Sequence, residues 1–289
     1  MIEEVLYKAL QGSDTFAGIL AKHDGKPAVF YSSAANGADA NWGAEQYPRC
    51  NYMIEWLNDA ERKRAGVLTI DVFCINEAPE DIGESLVSEF SGAFMAKNEQ
   101  TYSIIWSRTD PFEVEGSEPR VVGVSVYFDI IAFPIQETTT PDPVLSTMAW
   151  IKNGWPDVHV VGVDESVEFW KPTDENPVCY VRMSGETSNV KPTYVCSWLN
   201  ANVVIHIICP SVKARMEWIK RFTNVLALEA EIITDDGSPM FIKSTTVDNG
   251  ANPITAGQLI FVGEYGVLRK VVEDTEPMRS INIGGVLNG

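Results

Sequence analysis

The sequence predicts an α+β fold made of two similar domains in tandem. In each domain we expect a mostly antiparallel or mixed sheet, an amphipathic helix packed on that sheet, and a short N-terminal helix. Two observations favour this fold. A short, β-branched strand followed by an amphipathic helix occurs twice, at residues 66–94 and 201–228. The remaining strands lack helices regularly between them, which argues against a doubly wound parallel sheet.

The two strand–helix units resemble each other in detail. Residues 66–74 and 202–209 are apolar runs rich in β-branched side chains, as is typical of buried strands. Their alternate apolar residues match at one constant offset, Leu68, Ile70, Val72 and Cys74 against Val203, Ile205, Ile207 and Cys209. A Pro-x-Cys sequence also occurs twice, at 48–50 and 177–179. Two ordinary α+β domains without a common origin are the alternative interpretation.

An amphipathic helix follows each of these strands. The first begins at Pro79, with Glu80 and Asp81 in a first turn that suits the positive end of the helix dipole. The second begins after Pro210 and a Ser211 that can cap it. The apolar stripes are Ile82, Leu86, Phe90 and Phe94 in the first helix, and Val212, Met216, Ile219, Phe222 and Leu226 in the second. We expect both stripes to face a sheet.

The elements around these units have the same order in both halves, and equivalent elements lie about 130 to 137 positions apart. The first half has a helix at 2–10, strands at 27–31, 49–56, 102–106 and 121–133, and loops at 32–46, 58–65 and 110–119. The second half has a helix at 144–153 and strands at 158–163, 177–181, 193–199, 240–243, 258–262 and 265–271. This order supports a duplication.

A segment rich in proline and threonine divides the two halves. We predict an N-terminal domain at 1–134, a linker at 135–143, a C-terminal domain of similar topology at 144–271, and a polar, glycine-rich arm at 272–289. A small insert within a single domain is the alternative interpretation of the linker.

The composition limits the possible functions. The net charge of −18 disfavours an electrostatic grip on nucleic acid, although it would let DNA slide past without sticking, and it also favours solubility. No apolar run reaches the roughly 20 residues of a membrane helix, so we expect no membrane partner. The five cysteines form no C-x-x-C pair, which favours buried, reduced thiols over a zinc site.

Sequence motifs for catalysis or cofactor binding are missing. The chain has no nucleophile elbow, phosphate loop or dinucleotide fingerprint, so we expect no catalytic residue, cofactor or bound metal, and no enzyme activity. His206 holds the repeat position that Asp71 holds in the first half. An intracellular two-domain enzyme with an interdomain carboxylate–histidine site, using Asp71 and His206, is the alternative function.

Several apolar residues are candidates for contacts between subunits. Trp42, Trp155 and Trp170 lie in or beside predicted loops, and aromatic loop residues are favoured interface anchors. Each could instead cover the core of its own domain. Ile281 and Ile283 form an isolated apolar pair in the predicted arm.

The order of elements resembles the tail terminator or tail-completion proteins of tailed bacteriophages. The similarity is closest from 47–49, through the strand at 68–72, to the helix at 82–94. The resemblance implies a structural virion protein of a phage or phage-like tail. Such a protein forms a ring that terminates the tail tube and joins it to the neck or head connector. It would be located in the virion tail and assembled in the host bacterial cytoplasm.

The resemblance also implies the partners. These are other copies of the chain, tail tube and neck proteins, and a sheath if the tail has one, while DNA passes without specific binding. Members of the family commonly have one domain, whereas two are predicted here. A hexamer is favoured, and three chains forming a pseudo-sixfold ring are the alternative. A generic two-domain binding module is a third interpretation of the chain.

Overall fold

A computed structural model describes residues 2–32, 47–57, 64–75, 78–97, 100–117, 119–136, 140–165, 167–188 and 196–268. The predicted loop at 32–46 and the predicted arm at 272–289 therefore lie almost entirely outside the described residues.

The first half of the chain contains two helices and most of one sheet. Its elements are α1 (Ile2–Gly12), β1 (Lys22–His23), β2 (Lys26–Pro27), β3 (Val29–Tyr31), β4 (Arg49–Trp56), β5 (Arg64–Cys74), α2 (Pro79–Phe90), β6 (Phe94–Lys97), β7 (Gln100–Glu113) and β8 (Val122–Phe133). Strands β1 and β2 form a small separate hairpin.

The second half repeats this arrangement. Its elements are α3 (Pro143–Gly154), β9 (His159–Val160), β10 (Phe169–Trp170), β11 (Val178–Ser188), β12 (Cys196–Ile208), α4 (Val212–Glu229), β13 (Glu231–Ile233), β14 (Pro239–Val247) and β15 (Leu259–Leu268). The predicted α+β class with two similar mixed sheets, each with helices packed on it, is confirmed.

The two large sheets have the same strand order. The first runs β10-β6-β7-β8-β5-β4-β3, and the second runs β13-β14-β15-β12-β11-β9. Apart from β10, every strand has a counterpart at the same place. In both sheets only the pair at one edge is parallel, β3 with β4 and β9 with β11, and every other pair is antiparallel.

The strand register agrees with the sequence repeat. Cys50 lies opposite Val72 in the first sheet, and Cys179 lies opposite Ile207 in the second. These are the residues that the Pro-x-Cys match and the strand match relate to each other. The repeat in the sequence therefore corresponds to a repeat in strand pairing.

Three apolar clusters hold the molecule together. The first lies between α1, α2 and the first sheet, and the second lies between α3, α4 and the second sheet. The third contains Phe94, Ile131 and Phe133 from the first sheet and Val161, Val178, Tyr180, Ile208 and Ile254 from the second half. Because side chains alternate along a strand, the third cluster joins the sheet faces that point away from the helices.

Contacts within the third cluster are specific. The rings of Phe133 and Tyr180 meet edge to face at 5.1 Å. The Tyr180 hydroxyl donates a hydrogen bond of 2.7 Å to the carbonyl oxygen of Pro134. The two sheets are thus joined by buried apolar side chains and a hydrogen bond as well as by the predicted linker.

Some predicted elements were wrong in detail. Phe94 does not belong to the helical stripe, because α2 ends at Phe90 and Gly92 has a φ of +80°, a left-handed conformation that ends a helix. The loop predicted from residue 110 is instead strand, since β7 continues to Glu113. Pro111 is tolerated there because β6 pairs with β7 only as far as Ser103, so this part of β7 is a sheet edge.

Two further corrections concern the second half. The described part of the strand predicted at 193–199 and the strand predicted at 202–209 form one long strand, β12 (Cys196–Ile208), since Asn200 and Ala201 also pair with β15. The two-residue strand β10 lies after the predicted linker but pairs with β6 of the first sheet. The predicted domain boundaries themselves stay a prediction.

Candidate functional site

An apolar surface depression lies on the second domain. Helix α4 and the end of β14 enclose a groove of about 780 Å³, which we call the α4 groove. Its lining residues are Val212, Lys213, Met216, Glu217, Ile219, Lys220, Thr223, Asn224, Val247 and Asn249. Val212, Met216 and Val247 are 60%, 48% and 37% exposed, although all three are large apolar side chains.

The local sequence explains how these side chains come together. Ser211 accepts a hydrogen bond from the Ala214 backbone N–H at 3.3 Å, so the helix begins at Val212. Met216 follows four residues later and lies on the same helix face. Val247 reaches this face from the last position of β14, where it pairs with Leu259.

Helix α2 of the first domain differs from α4 at one buried position. The buried residues Ile82, Gly83, Leu86 and Phe90 of α2 have the same spacing as Trp218, Ile219, Phe222 and Leu226 of α4. A Cβ atom on Gly83 would lie 3.2 Å from Val124 Cγ2 and 3.8 Å from Thr109 Cγ2, so the glycine lets α2 lie directly on the sheet. The equivalent residue of α4 is Ile219, which lines the α4 groove.

The rim of the α4 groove carries charge of both signs, with Lys213 and Lys220 beside Glu217. The charged residues of the lining are thus two bases and one acid, in a chain with 22 basic and 40 acidic residues. The groove therefore suits an apolar segment that has acidic residues near it.

A second apolar surface lies at the other end of the second sheet. The rings of Trp198 and Phe241 lie 6.4 Å apart, and Phe241 is 38% exposed. Leu268, the last residue of β15, is 70% exposed. The described part of the second domain therefore presents exposed apolar side chains at both ends of its sheet.

A polar row crosses the outer face of the first sheet. The strand pairs place Asn51 opposite Asp71, Asp71 opposite Ser125, and Ser125 opposite Asp110. Ser125 donates a hydrogen bond of 2.6 Å to Asp71. Burial raises the pKa of Asp71, and this hydrogen bond opposes the rise.

His206 lies at the equivalent place in the second sheet, where it is fully buried. Its Nδ1 lies 2.8 Å from the carbonyl oxygen of Pro253, which can only accept, so Nδ1 carries the proton. Arg182 Nε donates to Nε2 at 3.1 Å. Both ring nitrogens thus have structural hydrogen bonds.

The structure gives no support to a site shared by Asp71 and His206. Asp71 bonds to Ser125 within the first sheet, whereas His206 contacts Tyr180 of the third cluster, with the rings 5.5 Å apart. Ser125, the partner of Asp71, lies six positions before Ile131 of the third cluster on β8, which is about 20 Å along a strand. Asp71 therefore lies far along the first sheet from the cluster that His206 contacts.

A polar cleft of about 610 Å³ lies between the end of α3 and the start of α4. The charged residues lining it are Asp157, Asp174, Glu175, Lys213, Glu217 and Arg221. Asp174 has a structural role there, because its carboxylate accepts a hydrogen bond from the Ser211 backbone N–H at 2.9 Å. Among the described residues, no group of three or more His, Cys, Asp or Glu side chains could hold a metal ion.

The predicted aromatic anchors have different surroundings. Trp155 is half-buried and packs on Phe222 at 4.4 Å, so it covers its own core. Trp170 is half-buried and stacks on Phe94 at 5.2 Å, beside the third cluster. Trp42, Ile281 and Ile283 lie outside the described residues.

Sequence reasoning missed the α4 groove because Val212 and Met216 belong to the predicted core stripe. The structure exposes both of them. The available signal was the width of the apolar face, which also includes Trp218 and Val225 and is broader than one sheet contact can cover.

Comparison with protein families, with curated proteins and with solved structures gives no match to this chain. The helices of the described residues are all too short or too polar to cross a membrane.

Proposed function

We propose that this protein is a structural subunit of a phage or phage-like tail. In this proposal it forms a ring that terminates the tail tube and joins the tube to the neck or head connector. It would assemble in the host bacterial cytoplasm and remain in the virion. The observation that carries the proposal is the pair of exposed apolar surfaces at opposite ends of the second sheet.

Two different surfaces at opposite ends suit a head-to-tail contact between copies. Such a heterologous contact forms a closed ring when the rotation between neighbours closes. Val212 and Met216 at one end, and Phe241 and Leu268 at the other, would be covered in that contact. Large exposed apolar surfaces commonly mark sites of protein interaction.

The difference between the domains favours six chains over three. In a pseudo-sixfold ring of three chains, the first and second domains would make equivalent contacts. Gly83 lies close against the first sheet at the position that Ile219, beside Met216 in the α4 groove, holds in the second domain. Because the surfaces differ, a hexamer of whole chains fits better.

The charge is compatible with a channel for DNA. With 40 acidic and 22 basic residues, a ring of such chains would repel phosphate groups and leave DNA mobile. Tail tube, neck and sheath proteins are the expected neighbours in this proposal.

Native mass spectrometry of the full chain tests the proposal. A hexamer of 32.0 kDa chains has a mass of about 192 kDa, and a trimer has about 96 kDa. We expect the hexamer, alone or after addition of assembled tail tubes. A monodisperse monomer at micromolar concentration, with and without tubes, would contradict the proposal.

A further inference from the structure

We propose that the α4 groove of one copy binds the C-terminal segment, residues 269–289, of the next copy. The inference depends on the proposed function, since it names the contact that links neighbouring subunits. The occupant is a segment of this chain, and its chemistry, position and length argue for it.

The position of the chain end gives the first argument. Strand β15 begins at Leu259, beside Val247 of the groove, and ends at Leu268. These ends lie about 30 Å apart, because a strand rises about 3.3 Å per residue. The donor segment and the acceptor groove are therefore at opposite ends of one domain, which is the arrangement that a head-to-tail contact requires.

The length of the segment gives the second argument. Ile281 lies about 13 residues beyond Leu268, so an extended chain places it up to about 43 Å away. The groove of its own domain lies within that reach too, but the segment would have to reverse its direction to enter it. A groove on the next copy can be reached while the chain continues outward.

The chemistry of the segment matches the groove. Ile281 and Ile283 alternate with Asn282, so an extended segment presents two apolar side chains on one face. Met216 and Val247 offer an apolar floor of similar size. The nearby charges have both signs in each partner: Glu273, Asp274, Glu276 and Arg279 precede the isoleucines, and Lys213, Lys220 and Glu217 line the groove.

Cross-linking between two singly labelled full-length chains tests the contact directly. One chain carries Asn224→Cys at the groove, and the other carries Asn282→Cys in the segment. Both carry Cys196→Ser, because the other described cysteines are buried. We expect a bis-maleimide linker to give covalent dimers in the mixture and not with either chain alone.

A chain that carries both cysteines distinguishes binding of a neighbour's segment from binding of the chain's own segment. Our proposal predicts covalent multimers up to the size of the ring. Closure within single chains, without multimers, would show that the segment folds back on its own domain and would overturn the inference.

Two substitutions on the same helix provide a matched comparison. Met216→Glu places a charge in the groove, and we expect it to reduce the cross-linking yield about tenfold or more. Leu228→Glu changes a side chain that is 84% exposed on α4 but does not line the groove, and it should change nothing. Thermal unfolding of both variants checks that each one is folded.

The results distinguish this inference from the proposed function. One variant is Met216→Glu, and the other replaces both Ile281 and Ile283 by Asp. If both variants still form the ring that the wild type forms, the inference is wrong and the proposed function is unaffected. If mixed chains cross-link as dimers but no ring forms under any condition, the contact between the α4 groove and residues 269–289 is supported and the proposed function is wrong. Loss of the ring in both variants, with Leu228→Glu unaffected, supports both.

Discussion

At single residues, two glycines have different structural roles in the two domains. Gly83 lets α2 lie directly on the first sheet, whereas Gly257 lies in a loop of the second domain. Its φ is +82°, and an added Cβ would lie 2.5 Å from Val204 Cγ1 and 2.9 Å from His206 Nε2. The glycine thus keeps the 248–258 loop close to the buried histidine.

Gly257→Ala should destabilise the protein more than Gly237→Ala. Both positions have a φ of +82°, so both alanines incur a left-handed strain of about 1–2 kcal/mol. Gly237 has no atom within 4 Å of the added Cβ, whereas Gly257 also incurs a clash of about 1–3 kcal/mol. Urea unfolding of the two variants measures the difference. Equal midpoints would contradict the described packing of the loop.

Asp71→Asn should leave stability at pH 7 unchanged or higher. Burial raises the pKa of Asp71 above its ordinary value of 3.8, so the folded state binds the proton more tightly than the unfolded state does. The ionised carboxylate therefore opposes folding at pH 7, and this effect disappears as the pH falls through the folded-state pKa. Any advantage of the variant over the wild type should therefore shrink as the pH falls.

Asp236→Asn serves as a control, because the pKa of Asp236 is shifted in the direction opposite to that of Asp71. Hydrogen bonds, first from the Ser238 hydroxyl and then from Thr234, hold the pKa of Asp236 below its ordinary value. Its carboxylate stabilises the fold above pH 3.8, and that contribution is lost as the pH falls further. Unfolding midpoints from pH 7 to pH 3 compare the two variants. A pH trend of the same sign in both would refute this interpretation.

At the level of elements, helices α2 and α3 begin in different ways. Asp142 caps α3 by accepting hydrogen bonds from the backbone N–H groups of Val144 and Leu145, at 2.8 and 2.9 Å. Helix α2 begins after Ala78, which offers no side-chain cap, although Pro79 suits a first helical position. The start of α3 therefore depends on one side chain, whereas the start of α2 depends on backbone geometry and tertiary packing.

Asp142→Ala should destabilise the protein by about 1 kcal/mol, because two N–H groups at the start of α3 lose their acceptor. Ala78→Asp should have the opposite effect, since the φ and ψ of Ala78, −75° and 108°, already suit a capping residue. Chemical unfolding of both variants gives the sign and size of each effect. Two changes of the same sign would argue against the different capping of the two helices.

At the scale of the whole molecule, the sheets pack through the faces that point away from their helices. Phe133 contacts Phe94 at 5.3 Å and Tyr180 at 5.1 Å, and strand β10 adds a second connection by pairing with β6. A buried apolar contact of this kind couples the unfolding of two domains. The orientation of the proposed contact surfaces within a ring depends on that rigidity.

Phe133→Ala should uncouple the two halves. The cavity lowers the free energy of unfolding by about 3–5 kcal/mol, and this loss weakens the contact between the two sheets. Calorimetry should then resolve two unfolding transitions in place of one. Phe128→Ala removes a buried ring from the first core alone and should lower the stability of the first half without removing Phe133 from the contact. A single sharp transition in Phe133→Ala would contradict this role of the third cluster.

Sequence patterns located the strands with strong local signals. The strand predicted at 49–56 has those bounds in the structure, and the predicted strands at 66–74 and 121–133 differ from the observed strands by only one or two residues at their starts. Short strands such as β6, β10 and β13 were missed, because two to four residues carry no measurable periodicity. Their pairing is decided by distant partners.

The candidate site was predictable only in part. An apolar stripe on α4 was evident, but its pattern does not tell which positions meet the sheet and which remain open. The residue between helix and sheet affects how closely the two can pack, and it is Gly83 in the first domain and Ile219 in the second. This difference becomes visible only when the two domains are compared.

Hydrophobic periodicity and composition are local properties of the chain, so they are enough to predict the α+β class, the repeated strand–helix unit and the negative net charge. Three features could be seen only in the folded protein. The sheets pack back to back through Phe133 and Tyr180, Arg182 and a backbone carbonyl hold His206, and Val212 and Met216 stay exposed. Each of these depends on which surfaces meet, and surfaces meet through residues far apart in the chain.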